Sequence, residues 1–528
     1  MQREQFQMRA NETTKASSSA NSYRHGRRSN LPELLSAVNP KSLTNIVKRA
    51  DIYKAHKPVG PSSRGIAPFP QARSMTMRYL SVATFTASMI VLPASLSAQQ
   101  STMKAEISAT SDKFRSQYIR LAEDTEGLLL EPTEPTANPR IAFVFSHPNR
   151  DNFKEQPGPA VANLGYRVML VNYRGDRDNP DAPPEAFLPS ISRGIAYLRK
   201  LPGVEKVVLL AHSGGTHMGT LYQNVAEHGP SVCQDARKIV PCDGKKIGEL
   251  EKPDGLILLD PTLGAAHQMS AVDPAAGGEG RDKSVDMFAT ENGYDVEGKK
   301  ATYTAEFTQR FYKAQATRNN EIVDAALERL KLIEEGKGEF SDDEPFVVKG
   351  VGVRALGARL YQPDLRFAAH TKQLHTLIRS DGSRTEEIIK SVRPSAGGKQ
   401  VLAILDQFGA MNYSTTVRGF LANSAILANA EFAFTADDIV GVDWASSYTS
   451  TPSNAEGVTV PTLVLTMSCH YLVVPGEVIF DHLAATDKSY ASVEGATHLF
   501  QPCRPEYGDT KKRVFDFVDQ WVAEPGRF

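Results

Sequence analysis

The chain has 528 residues, 41% hydrophobic and 23% charged, an ordinary globular composition large enough for one big domain with an insertion or for two domains. The formal charge of -1 hides an asymmetry: residues 1–98 hold fourteen Lys/Arg against four Asp/Glu, so a net +10 at the front leaves -11 for the remainder. An acidic body of this kind argues against nucleic acid as a partner.

Residues 1–74 are rich in Ser, Asn, Arg and Pro without periodicity, as in a disordered basic extension. Residues 75–98 then show three parts: a basic residue, Arg78, an apolar run from Tyr79 to Leu92, and a small-residue ending at Ala98. This is the layout of a secretory signal peptide, and it predicts a periplasmic or secreted protein. The run is too short for a convincing membrane span, so none is expected after cleavage. An uncleaved anchor is the alternative. A leader preceded by 74 residues implies that Met75 or Met77 is the native start, the competing reading being a long basic targeting extension. All four cysteines, Cys233, Cys242, Cys469 and Cys503, lie downstream of the proposed cleavage. An even count in an exported chain suggests two bridges, with Cys233 and Cys242 as the local pair and Cys469 and Cys503 as the other. Free buried thiols are the alternative, and the sequence does not decide the pairing.

The stretch from Ser101 to Ala137 is weakly patterned. Arg140–Ser146 predicts the first clear strand and leads into His147-Pro148-Asn149. A helix closes near Tyr166, and Arg167–Tyr173 predicts a buried strand. Pro189–Lys200 predicts a helix with Ile191, Ile195 and Leu198 on one face. Lys206–Ala211 is short, apolar and valine-rich, as a buried parallel strand is, and Ala211-His212-Ser213-Gly214-Gly215 follows it directly. Asp254–Asp260 reads as a further strand. Strands alternating with helical stretches predict a doubly wound, mostly parallel α/β sheet.

Small residues two positions either side of Ser213 suit a sharp strand-to-helix turn, which lifts the serine hydroxyl to the top of the sheet. The free N–H groups at the next helix's start face the same spot. The pentapeptide resembles the nucleophile elbow of the α/β-hydrolase superfamily, with Ala211 in place of the first glycine of Gly-x-Ser-x-Gly, and the order of strands, loops and helices around it is similar to that family's. The resemblance implies a serine esterase or lipase-like hydrolase with a hydrolase core over 99–261 and 456–528. It also implies oxyanion N–H donors at Gly214 and Asn149, and His147 in the substrate-binding loop.

Residues 262–455 break the alternation, at the point where α/β-hydrolases carry a cap, and a largely helical cap is expected there. Thr304–Glu335 predicts one or two helices, with Leu374–Ile378, Val401–Phe408 and Val417–Leu427 as further short ones. Strands resume at Val460–Met467 and Tyr490–Val493, and Lys511–Trp521 predicts a closing amphipathic helix. A serine hydroxyl needs a base, and the base an orienting acid. His498, in a Gly-x-x-His loop before the last helix, matches the family's base. The family's usual acid position, after Val460–Met467, holds Cys469-His470-Tyr471 instead. Two carboxylates remain open: Asp260 in Leu-Leu-Asp-Pro, where some lipases and lactonases of this fold carry it, and Glu477. His470 would line the pocket.

These residues predict cleavage of a small-molecule carboxylic ester or lactone through an acyl-enzyme. There is no His-Glu-x-x-His, phosphate loop or dinucleotide fingerprint, so no metal or cofactor is expected. Serine at the elbow argues against the epoxide hydrolases and dehalogenases of the fold, which use aspartate there. A binding protein that lost the reaction, and a serine peptidase or carbon–carbon hydrolase of the same fold, remain alternatives.

Overall fold

The structure, a computed structural model, describes residues 111–528 apart from 135–137, 149, 176–181, 279, 299, 351–357 and 397–411. The basic extension, the proposed leader, Asn149 and the helix expected at 401–408 lie outside the described residues. Everything described belongs to one unit, Val91–Phe528.

Ten strands build one sheet. They are β1 (Phe114–Arg120), β2 (Thr125–Pro132), β3 (Ile141–Phe145), β4 (Arg167–Tyr173), β5 (Lys206–His212), β6 (Gly255–Leu259), β7 (His370–Ile378), β8 (Arg384–Lys390), β9 (Thr462–Met467) and β10 (Lys488–Val493). Their spatial order is β1-β2-β4-β3-β5-β6-β9-β10-β7-β8. Every pairing from β4 across to β7 is parallel, and the outer pairings β1 with β2, β2 with β4 and β7 with β8 are antiparallel.

The central strands are apolar throughout because both faces are covered. On one face Ile141, Phe143, Phe145, Val208 and Leu210 pack with Val161 of helix α1 (Pro157–Ala162) and with Val514, Val518 and Trp521, which lie on the closing helix. On the other, Ala142, Val144, Val207 and Leu209 pack with Ile191 and Ile195 of α2 (Pro184–Leu198) and with Met218 and Leu221 of α3 (Gly215–His228). Successive residues of a strand thus feed two cores, as the two-residue period of a strand requires.

Within 262–455, α4 (Ala305–Glu334) is a single helix started by the Thr304 side chain, which accepts from Phe307 N–H at 3.2 Å. It lies against the hairpin formed by Leu427–Phe434 and Ile439–Asp443. Val417–Asn423 is helical, but the helix expected at Leu374–Ile378 is the end of strand β7. The largely helical insertion therefore needs correcting, since β7 and β8 belong to the central sheet. The pairing register shifts between His370 and Leu374. That bulge breaks the alternation of a strand and leaves an apolar spacing that resembles a helical one. Two longer helices follow in the last part of the chain, α5 (Val473–His482) and α6 (Thr510–Val522). Both cysteine pairs are bonded, Cys233 to Cys242 and Cys469 to Cys503, with Cα separations of 5.5 and 6.3 Å. No helix among the described residues is long and apolar enough to cross a membrane.

Candidate active site

Ser213 stands between β5 and α3 with φ of 55°, in the left-handed region that a non-glycine residue rarely adopts. The turn closes because its neighbours are small. A Cβ on Gly215 would come within 3.1 Å of the Ser146 carbonyl oxygen, and one on Gly214 within 3.2 Å of the His147 ring. Ala211 in place of glycine is accommodated from the helix side. Gly219 of α3 faces it, and a Cβ there would lie 3.0 Å from the Ala211 methyl. Glycine at 219 thus lets the strand and helix approach closely with a methyl on the strand. Ser213 N–H donates to the Leu259 carbonyl at 3.1 Å, which ties the elbow to the end of β6.

Three side chains from three loops meet here. His498 Nε2 lies 2.8 Å from Ser213 Oγ, and His498 Nδ1 lies 2.6 Å from Asp260 Oδ2. With Nδ1–H donating to the carboxylate, Nε2 is bare and accepts the serine hydroxyl. Asp260, at the end of β6, also has positive φ, 43°. It is fully buried, and its other oxygen, Oδ1, accepts from Met467 N–H at 3.2 Å. Burial alone would raise its pKa. The imidazoles of His470 and His498, each with a nitrogen close to Oδ2, overcome that and hold it well below the usual carboxylate range.

Glu477, the other carboxylate open from the sequence, is turned elsewhere. Its oxygens accept from the amides of Lys372 and Gln373 at 2.7 and 2.9 Å and meet His375 Nε2 at 2.9 Å. It is a buried anchor for the bulge in β7 rather than a partner of His498.

Two further imidazoles flank His498. His212 lies ring to ring with it at 4.8 Å, and its Nε2–H donates to the His498 carbonyl at 2.9 Å. Burial, then the neighbouring His498, pushes His212 down to about 3, so it stays neutral with its proton on Nε2. The sequence reading gave His212 no role beyond the elbow. One histidine in the pentapeptide and one in the loop before the last helix are the signal that His212 holds the His498 backbone, and only their proximity makes it readable. His470 lies on the other side, its ring also 4.8 Å from that of His498. Its Nδ1 is 2.8 Å from Asp260 Oδ2 but off the line of a hydrogen bond. The bond between Cys469 and Cys503 joins the loop carrying His470 to the one carrying His498. His147 is buried beside Gly214.

Asp260, His470 and His498 also have the donor types of a cation site, with ligand atoms within 4.8 Å of one another. The short bond between His498 and Asp260 already uses one nitrogen and one oxygen of that set. A cavity of about 620 Å³ opens in the insertion between Tyr303, Tyr312, Phe432 and Phe434. None of the clustered residues lines it. Rings link it to the site all the same, in tilted contacts: Phe434 against Tyr361 and Tyr361 against Tyr471, each at 4.7 Å, and Tyr471 against His470 at 4.4 Å.

No family model and no curated protein matches the chain. Among solved structures it is similar to esterase B from Lactobacillus rhamnosis, at 14% identity and a TM-score of 0.26, over 34% of this chain and 61% of that one. It is also similar to a soluble variant of monoglyceride lipase from Saccharomyces cerevisiae in complex with a substrate analog. That likeness has 10% identity and a TM-score of 0.36, over 79% of this chain and 96% of that one. The chain thus spans about three-fifths of the length of esterase B. The fold assignment rests on the sheet rather than on these likenesses. With its strand order, crossovers on both faces and a strained serine between β5 and α3, the chain has the α/β-hydrolase fold.

Proposed function

We propose that the protein is an exported serine hydrolase that cleaves a carboxylic ester or lactone through Ser213, His498 and Asp260. The observation that carries this reading is the continuous path from Ser213 Oγ through both nitrogens of His498 to Asp260 Oδ2, at 2.8 and 2.6 Å. Ser213 Oγ attacks the substrate carbonyl carbon while its proton passes to His498 Nε2. The buried Asp260 carboxylate stabilises the imidazolium and holds its tautomer. The tetrahedral oxyanion is received by N–H groups, in this reading those of Gly214 and Asn149. His498 then returns the proton to the departing alkoxide, leaving an acyl-enzyme. Water, deprotonated by His498, releases the acid and restores the serine.

Residues 262–455, apart from β7 and β8, are the candidate cap. The ring contacts from Phe434 to His470 support a cap that reaches the catalytic loops and bears on which acyl or alcohol group is admitted. The two disulfides and the leader-like segment 75–98 support export.

Hydrolysis of short- and medium-chain nitrophenyl esters by the wild type and by Ser213→Ala tests the reading. A fall of at least ~10⁴-fold in kcat is expected. Equal rates would leave a binding protein on a hydrolase scaffold.

A further inference from the structure

We infer that His470 is a positioning residue: its imidazole, resting against the same Asp260 oxygen that His498 binds, keeps that carboxylate aimed and so sets the basicity of His498. The inference rests on the proposed serine mechanism and deepens it. His470 stands where the chain would otherwise bring an acid to His498, in the loop that follows β9. The acid itself has moved to the end of β6.

The geometry makes the two imidazoles share one oxygen. Asp260 Oδ2 is 2.6 Å from His498 Nδ1 and 2.8 Å from His470 Nδ1. His470 is fixed from both sides along its backbone: its N–H donates to the Met467 carbonyl at 3.0 Å, and its carbonyl accepts from Ser391 Oγ at 2.8 Å. Its ring is held between Tyr471 and His498, at 4.4 and 4.8 Å. A fully buried carboxylate served by His498 alone would lose its principal side-chain donor whenever that ring turned towards a leaving group. With His470 beside it, a second imidazole, its Nδ1 2.8 Å from Oδ2, stays against the carboxylate through the cycle. Sharing the oxygen also draws electron density from the bond to His498, which makes His498 a weaker base than a carboxylate bound to it alone would. The other charged or titratable groups around the pair are His212 on β5, Glu155 ahead of α1, His267 in the helix Ala265–Met269, and Arg359 and Arg393 from the insertion.

The test is the pH profile of kcat/KM on a nitrophenyl ester for the wild type, His470→Phe and His470→Asn. Phenylalanine keeps the ring and removes the nitrogen. Asparagine puts an amide N–H about where Nδ1 stood. The acid limb reports the base in the free enzyme. In His470→Phe it should move to higher pH by about half to one unit, the scale of one lost polar contact, with KM within about twofold. In His470→Asn it should return towards the wild type. If His470→Phe does not fold, His470→Leu takes its place in the same comparison. Coincident limbs with a uniform loss of rate would overturn the inference in favour of a packing role, and a change confined to KM would overturn it in favour of substrate contact. Activity retained in Ser213→Ala would instead bring down the serine mechanism itself, whatever the limbs do.

Discussion

Four non-glycine residues have positive φ among the described residues: Ser213, Asp260, Ala368 and Phe500. Two are in the proposed triad, and Phe500 follows its base by two positions, its ring against His212 at 4.8 Å. Each such backbone costs on the order of 1–3 kcal/mol and persists only where surrounding contacts over-determine it. Their clustering is what a pre-organised site would have. Asp260→Asn separates geometry from charge at this scale, because asparagine tolerates a left-handed backbone. Its thermal midpoint should stay near that of the wild type while kcat falls by roughly 10⁴-fold, as a misplaced tautomer leaves His498 unable to accept the proton. Glu477→Gln should do the reverse. Its carboxylate takes two amides and a histidine in a buried place, so about 1–3 kcal/mol of stability should be lost in urea titration, with kcat within a few-fold of the wild type. A collapse of kcat in Glu477→Gln with Asp260→Asn unaffected would reverse the assignment of the acid.

At the scale of elements, the elbow depends on how closely α3 approaches β5. Gly219→Ala brings a second methyl to within 3.0 Å of the one on Ala211, and overpacking of this kind costs about 1–3 kcal/mol. The shift would act on Ser213, so both stability and kcat should fall. The double variant Ala211→Gly/Gly219→Ala should recover both. A double variant no better than Gly219→Ala would show that the contact is not what limits the turn. Much of this level was readable along the chain. Lys206–Ala211 and the glycines after Ser213 announce strand and turn because both signals are local. Strand β7 was not readable, because its bulge breaks alternation and what makes it a strand is its partners: Ala491–Val493 of β10 on one side and β8 on the other. The amides its bulge leaves unpaired are satisfied by Glu477, about a hundred residues away in sequence.

At the scale of the whole molecule, the buried histidines make the fold acid-labile. Burial pushes His217 down to about 4 and His212, with His498 beside it, to about 3. Burial first, with Arg359 nearby, holds His267 well below its usual value. Unfolded histidines titrate near 6.5. As pH falls below that, the unfolded chain binds protons the folded one refuses, so folding weakens by on the order of 1.4 kcal/mol per pH unit for each such histidine. The contribution of Asp260, whose pKa is depressed, is present above the ordinary aspartate value of about 3.9 and is lost only below it, so it does not oppose the trend. The urea midpoint should therefore be lower at pH 5 than at pH 7, and His217→Leu should reduce the difference. A midpoint unchanged or higher at pH 5 would contradict the burial of these rings in solution.

The sequence by itself determined the strands of the core and the turn at Ser213, and it singled out His498 as the candidate base. Each of these is written in neighbouring residues or in a period of two. Only the tertiary structure placed Asp260 rather than Glu477 beside His498, paired the four cysteines, set His470 against Asp260, tied His212 to the His498 backbone, and drew β7 and β8 into the sheet. The reason is common to all of them. Each depends on a distance between residues far apart in the chain, and a distance of that kind is set by how the strands are ordered in the sheet, which local pattern does not encode.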